Sequence, residues 1–223
     1  MITVSSIVLP EMQPYQKEFI EFAIAHKVLC FGDYTLKSGR RSPYFFNTGL
    51  FNDGASLATL GHFYASAITA SGVNFDMLFG PAYKGIPLAT SVAITLAGAL
   101  KRNIPFCFNR KEIKDHGEGG TLFGASPAGR VLIVDDVISA GTSVRESVDL
   151  IRAHGAEPAG VLIALDRMER GTGGKSGVQE VRETYGIPVI AIATLDDLMG
   201  FIAGRPALTA VGPAVAAYRA QYG

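Results

Sequence analysis

The sequence predicts an α/β fold in which helices cover both faces of a parallel sheet. Three observations predict it. From Phe75 onward, short apolar runs alternate with stretches of helical periodicity. Those runs are continuously apolar rather than alternating, as expected of strands buried on both faces. The chain has 223 residues, 48% of them hydrophobic, enough for one sizeable core.

The elements follow in order. Residues 13–27 place Phe19, Phe22, Ala23 and Ile24 at helical spacing. Residues 28–36 and 44–47 read as short strands around the polar turn Lys37-Ser38-Gly39-Arg40-Arg41. Residues 56–70 read as a helix, stopped by Ser71-Gly72. The core strands are expected at 77–79, 106–108, 131–134, 160–165 and 189–193, and the helices between them at 86–100, 143–154 and about 177–185. The Ala-rich last twenty residues, with Pro206 and Pro213, predict one or two terminal helices. Glu112 to Phe123 is polar and glycine-rich, so it is expected as an exposed, mobile loop.

Composition narrows the function. Lys+Arg and Asp+Glu stand at 20 each, so the chain has no overall basic field to draw it onto nucleic acid. Cys30 and Cys107 lie far apart in apolar contexts and read as buried, reduced thiols. The first ten residues lack the basic and apolar segments of a signal peptide, and the longest apolar stretch, 86–100, is too short and mixed to cross a bilayer. A soluble, cytoplasmic protein is expected.

The chemistry concentrates where Val131-Leu132-Ile133-Val134 runs into Asp135-Asp136 and then Val137-Ile138-Ser139-Ala140-Gly141-Thr142-Ser143. Ligands of open α/β sheets bind at the carboxyl ends of strands. A turn of small and hydroxyl residues opening a helix presents free N–H groups to a phosphate. Two carboxylates can accept hydrogen bonds from neighbouring sugar hydroxyls. The segment can therefore hold a ribose 5-phosphate by both ends. A P-loop nucleotidase would need a GxxxxGK[ST] partner, which is absent. A phospho-receiver would leave the Gly-Thr-Ser turn unexplained.

This run resembles the phosphoribosyl diphosphate (PRPP) motif of the type I phosphoribosyltransferases. The resemblance implies their parallel α/β core, with a small N-terminal hood (about residues 1–55), a core over about 56–204 and a C-terminal tail over 205–223. It also implies a flexible catalytic loop. Four further segments narrow the likeness: Thr35–Arg40 with Ser42–Gly49, Phe79–Pro87, Phe108–Gly119 and Leu165–Gly171. Together they resemble the orotate phosphoribosyltransferases, from about Glu18 to about Asp197.

The resemblance implies the site residues. PRPP contacts would come from Lys37, Tyr83, Lys84, Arg110, Lys111, Lys114, His116 and the run from Asp135 to Ser143, namely Asp135, Asp136, Val137, Ile138, Ser139, Ala140, Gly141, Thr142 and Ser143. Lys111, Lys114, His116 and Asp136 would be catalytic, and Phe45, Phe46, Ser139 and Arg167 would contact orotate. The residue types suit these roles: Phe45 and Phe46 offer an aromatic face, and Arg167 a planar fork for a carboxylate. Mg²⁺ would be held mainly by substrate oxygens and water, with no protein cage. A homodimer with shared sites, in which Lys111 serves the neighbouring subunit, is implied, as is a place in pyrimidine (UMP) synthesis. Ser139 departs from the family's usual Thr.

Plainer readings stand beside these. Phe45 and Phe46 could be core residues, Arg167 a surface residue, and Lys37, Arg40 and Arg41 a solvated turn. The acceptor could be another nucleobase. A regulator that only senses PRPP would be expected to carry an added domain or to have lost the loop; this chain shows neither in its sequence.

Overall fold

The computed structural model describes residues 12–36, 38–114, 120–139, 141–171 and 173–223, with side chains 112–114 and 120 outside that description. Lys37, His116 and Ala140, and the side chain of Lys114, therefore lie outside the described residues.

The N-terminal part comprises α1 (Pro14–Ala25), strands β1 (Leu29–Thr35) and β2 (Arg41–Phe46), and a 3-10 turn at Thr48–Leu50. β1 and β2 form an antiparallel pair, Leu29 opposite Phe46. Helix α2 (Gly54–Ser71) begins at Asp53, whose carboxylate accepts from Ser56 N, and stops at left-handed Gly72.

The core then alternates: β3 (Met77–Gly80), α3 (Gly85–Ala99), β4 (Phe106–Lys114), β5 (Gly120–Gly124), β6 (Arg130–Val134), α4 (Thr142–Ala153), β7 (Glu157–Asp166), α5 (Gly177–Tyr185) and β8 (Val189–Thr194). The six strands are ordered β5-β4-β3-β6-β7-β8. The chain ends with α6 (Leu195–Ala203), a 3-10 turn and α7 (Gly212–Tyr222).

The structure departs from the sequence reading at several points. Strands β4-β3-β6-β7-β8 are parallel, as expected, and β5 adds antiparallel to β4 at one edge. Consequently 112–123 is not wholly a loop. Strand β4 runs on to Lys114 and β5 starts at Gly120, with Phe123 stacked on Phe108 at 5.6 Å between ring centroids. Leu122 and Phe123 supply the strand preference that the surrounding polar residues concealed. Likewise α6 was not expected, although Thr194 and Asp197 form a capping box at its start. Cys107 is buried as expected, but Cys30 is only partly so; both thiols are free.

Successive residues of β6 point to opposite faces, so each feeds a different core cluster. Leu132 and Val134 pack with α1, α2 and α3. Val131 and Ile133 pack with Val144, Val148 and Ile151 of α4 and Val178 of α5. The helices after β3 and β6 thus leave on opposite faces. The carboxyl ends of these neighbouring strands open a crevice at the point where the winding reverses, which is where α/β sheets bind ligands.

Candidate active site

That crevice is a cleft of about 410 Å³, lined from one side by Pro81, Ala82, Tyr83 and Lys84 and from the other by Asp135 to Ser139 and Gly141 to Val144. Gly141 takes φ 68, a left-handed turn that lets the chain enter α4 with its first N–H groups free. Those N–H groups and the hydroxyls of Ser139, Thr142 and Ser143 can hold an anion.

The carboxylates at the end of β6 are nearly closed off from solvent, Asp135 8% exposed and Asp136 6%. Asp135 accepts from Asp136 N at 2.9 Å and from the Ser143 hydroxyl at 3.1 Å. Burial first, then the adjacent Asp136 charge, pushes the Asp135 carboxyl up to about 6. Asp136 accepts from Val137 N at 2.9 Å, from the Thr48 hydroxyl at 2.9 Å and from Lys84 Nζ at 2.6 Å. Beneath them, the buried Tyr64 hydroxyl donates to Asp135 O at 2.8 Å. Asp136 O in turn accepts from Ala164 N, locking the strand end to β7.

An adjoining cleft of about 270 Å³ is lined by Pro81, Ala82, Asn109, Lys111, Thr142 and Ser143, with Glu146 and Ser147 behind. The Asn109 side chain accepts from Ala82 N at 2.7 Å, fixing the turn that precedes Tyr83. Lys111 Nζ lies 5.4 Å from the Tyr83 ring centre. Arg110 lines neither cleft; its guanidinium stacks on Phe123 at 3.5 Å.

Arg167 follows β7 and is brought to β2 instead. Its Nε donates to the Tyr44 hydroxyl at 3.4 Å, and its guanidinium lies 5.0 Å from the Tyr44 ring centre. Buried Nη2 sits 2.6 Å from Glu169 Oε1, an ion pair off the N–H direction, so this nitrogen has no directed hydrogen-bond acceptor. Phe45, 39% exposed, stacks on Tyr34, while Phe46 packs edge-on to Phe19. Ser139 is exposed on the phosphate-type turn.

The structure therefore brings Lys84, Tyr83, Asp135 to Ser139 and Gly141 to Ser143 together, and sets Arg167 against the strand carrying Phe45 and Phe46. Sequence reasoning missed Tyr44, Thr48, Tyr64, Asn109, Glu169 and Tyr218. Tyr44, Thr48, Asn109 and Glu169 lie inside the segments that carry the resemblance, but their contacts, like those of Tyr64 and Tyr218, are with partners distant in sequence, which no local pattern marks.

Among the described residues no group of three or more His, Cys, Asp or Glu side chains could hold a metal ion, and no helix is long and apolar enough to cross a membrane.

The fold is that of the type I phosphoribosyltransferases, and residues 50–189 match the phosphoribosyl transferase domain. Orotate phosphoribosyltransferase of Thiobacillus denitrificans is 66% identical over 95% of this chain and 100% of its own length. That of Cronobacter sakazakii is 60% identical over the same shares. The crystal structure of orotate phosphoribosyltransferase from Francisella tularensis superposes with a TM-score of 0.84 at 41% identity, covering 92% of this chain and 99% of that one. The chain belongs to the orotate phosphoribosyltransferase family, whose members are glycosyltransferases.

Proposed function

We propose that this chain transfers the ribose 5-phosphate group from PRPP to orotate, giving orotidine 5′-monophosphate and diphosphate, as a Mg²⁺-dependent step of pyrimidine (UMP) synthesis. The observation that carries this reading is the course of one segment. Tyr44 of β2 meets Arg167, and four residues later Thr48 hydrogen-bonds Asp136. A flat base laid along this segment has a guanidinium at one end and the ribose-binding strand end at the other.

In this reading the turn from Ser139 to Ser143 takes the 5-phosphate, while Asp135 and Asp136 take the ribose hydroxyls. Lys84 now neutralises Asp136. PRPP entry exchanges that pair: Asp136 passes to the sugar and Lys84 to diphosphate oxygens. Tyr83 and Lys111 stand beside the same space; Arg110, and Lys37, Lys114 and His116 outside the described side chains, are assigned to PRPP on the resemblance alone. Phe45, Phe46 and Arg167 hold the base and its carboxylate. The base nitrogen bonds to the anomeric carbon as the bond to the diphosphate oxygen breaks, and the nitrogen's proton passes to the departing diphosphate. Positive charge builds on the ribose ring, so positioning and counter-charge do most of the catalytic work.

With Asp135 and Asp136 given to the ribose hydroxyls and no three-ligand acidic group among the described residues, Mg²⁺ would keep substrate oxygens and water as its main partners beside this strand end. Bound there, it would neutralise the diphosphate. We further read 1–55 as the hood, 56–204 as the catalytic core and 205–223 as the tail, in a cytoplasmic homodimer with Lys111 shared between subunits.

Purified protein with Mg²⁺, PRPP and orotate should consume orotate's ultraviolet absorbance. An unchanged signal, with adenine, hypoxanthine or uracil turned over instead, would overturn the assignment.

A further inference from the structure

We propose that the C-terminal helix α7 is part of the base site, with Tyr218 acting as a positioning residue that, through Glu169, keeps Arg167 available to the carboxylate of the base. This rests on the reading of Arg167 given above.

The tail is tied to the Arg167 loop at several points. The nearly buried Tyr218 donates its hydroxyl to Glu169 Oε1 at 2.8 Å, across 49 residues of sequence. Its ring stands edge-on to Tyr44 at 5.9 Å, so it also backs the ring beneath Arg167. Arg170 N donates to Tyr222 O at 2.7 Å, a backbone bond between that loop and the last turn of α7. Arg40 closes the ring of contacts: its Nη2 donates to Arg170 O at 2.8 Å and its guanidinium lies 4.8 Å from the Tyr222 ring centre.

The geometry at Glu169 gives these ties a purpose. Both Tyr218 and Arg167 address the same oxygen, Oε1. A carboxylate left alone with a guanidinium aligns with it in a two-pronged pair and uses up its donors. The phenol hydroxyl occupies that oxygen, Arg40 Nη1 lies 4.0 Å from the other, Oε2, and together they hold the carboxylate off-line. Arg167 Nη2 is consequently buried and charge-balanced but has no directed acceptor. A buried donor in that state strongly favours a ligand acceptor that completes it. The arrangement selects a planar base carrying an anionic group and disfavours one without.

The test separates positioning from support. Tyr218→Phe keeps the ring against Tyr44 and removes only the hydroxyl. It should raise the KM for orotate about fivefold to tenfold, the scale of one hydrogen bond, with kcat, the KM for PRPP and the melting temperature little changed. In an Arg167→Ala background, where kcat/KM for orotate is already low, adding Tyr218→Phe should cost nothing more. A KM for orotate unchanged by Tyr218→Phe, equal rises for both substrates, or additive losses in the double variant would each overturn the inference. If Arg167→Ala itself left orotate kinetics intact, the reading of Arg167 would fall first.

Discussion

The two halves of the proposed site, one for ribose phosphate and one for the base, are assembled in opposite ways. The ribose-phosphate half comes largely from one unbroken stretch of chain. Asp135 is held by Asp136 N one residue on and by Ser143 eight residues on. The base half is assembled from afar: Arg167 meets Tyr44 across 123 residues, Glu169 meets Tyr218 across 49, and Arg40 meets Arg170 across 130. A continuous turn can be kept intact by local hydrogen bonds. A site gathered from three parts of the chain depends on how those parts pack, so residues that do not themselves face the cleft can change how its side chains are presented.

Lys84→Ala should have the largest effect and breaks the comparison if it does not respect the division. Removing Lys84 leaves Asp136 without its cation and, in the proposed reading, the diphosphate without one of its counter-charges. Activity should fall about 100-fold or more, the scale of one lost transition-state contact, with the KM for PRPP raised and that for orotate nearly kept. Arg167→Ala should show the reverse split. Steady-state kinetics with each substrate varied in turn would read both. A rise in both constants in either variant would mean that the halves are not separable.

The second effect is on stability and belongs to the ribose half. Asp135 titrates near 6 in the folded chain, well above an ordinary aspartate. The fold therefore binds this proton more tightly than the unfolded chain does. Its contribution is favourable at low pH and is lost as pH rises through about 4 to 6, by about 3 kcal/mol at most. Asp135→Asn cannot ionise, so its melting temperature should gain on the wild type as pH is raised across that window, in the absence of ligands. Parallel curves for the two proteins would show that Asp135 is not penalised by burial.

The same division explains what could be read from the sequence. The end of β6 was legible because Asp135, Asp136, Gly141 and Thr142 sit in a fixed local order that has one chemical use. The core strands were legible because burial on both faces leaves continuous apolar runs. The strand β5 was not, since Leu122 and Phe123 are two apolar residues in a polar stretch and gain meaning only from Phe108 opposite. Helix α7 was readable as a helix but not as part of a site, because Tyr218 looks like any aromatic residue until Glu169 is placed beside it. Thr48 is equally silent: its hydroxyl matters because the fold carries it 88 residues along the chain to Asp136.

The smallest effect concerns Ser139, where the resemblance led to an expected Thr. The ribose half predicts that this change is minor. Its turn is fixed by main chain rather than by side chain: a methyl group built on Gly177 would meet Ser139 O at 2.6 Å and Ile138 Cγ2 at 2.7 Å. The start of α5 thus presses directly on the turn's backbone, and only glycine fits there. The Ser139 side chain is exposed. Ser139→Thr adds a methyl on the open side and keeps the hydroxyl, so both KM values should stay within about threefold, as for a surface change. Gly177→Ala adds the same methyl on the closed side. It must push the turn out of place and should raise the KM for PRPP by about tenfold, the cost of about 1.4 kcal/mol of strain. If Ser139→Thr proved the more damaging of the two, the turn would be held by its side chains, and the contrast between a locally built half and a distantly built half would lose its physical basis.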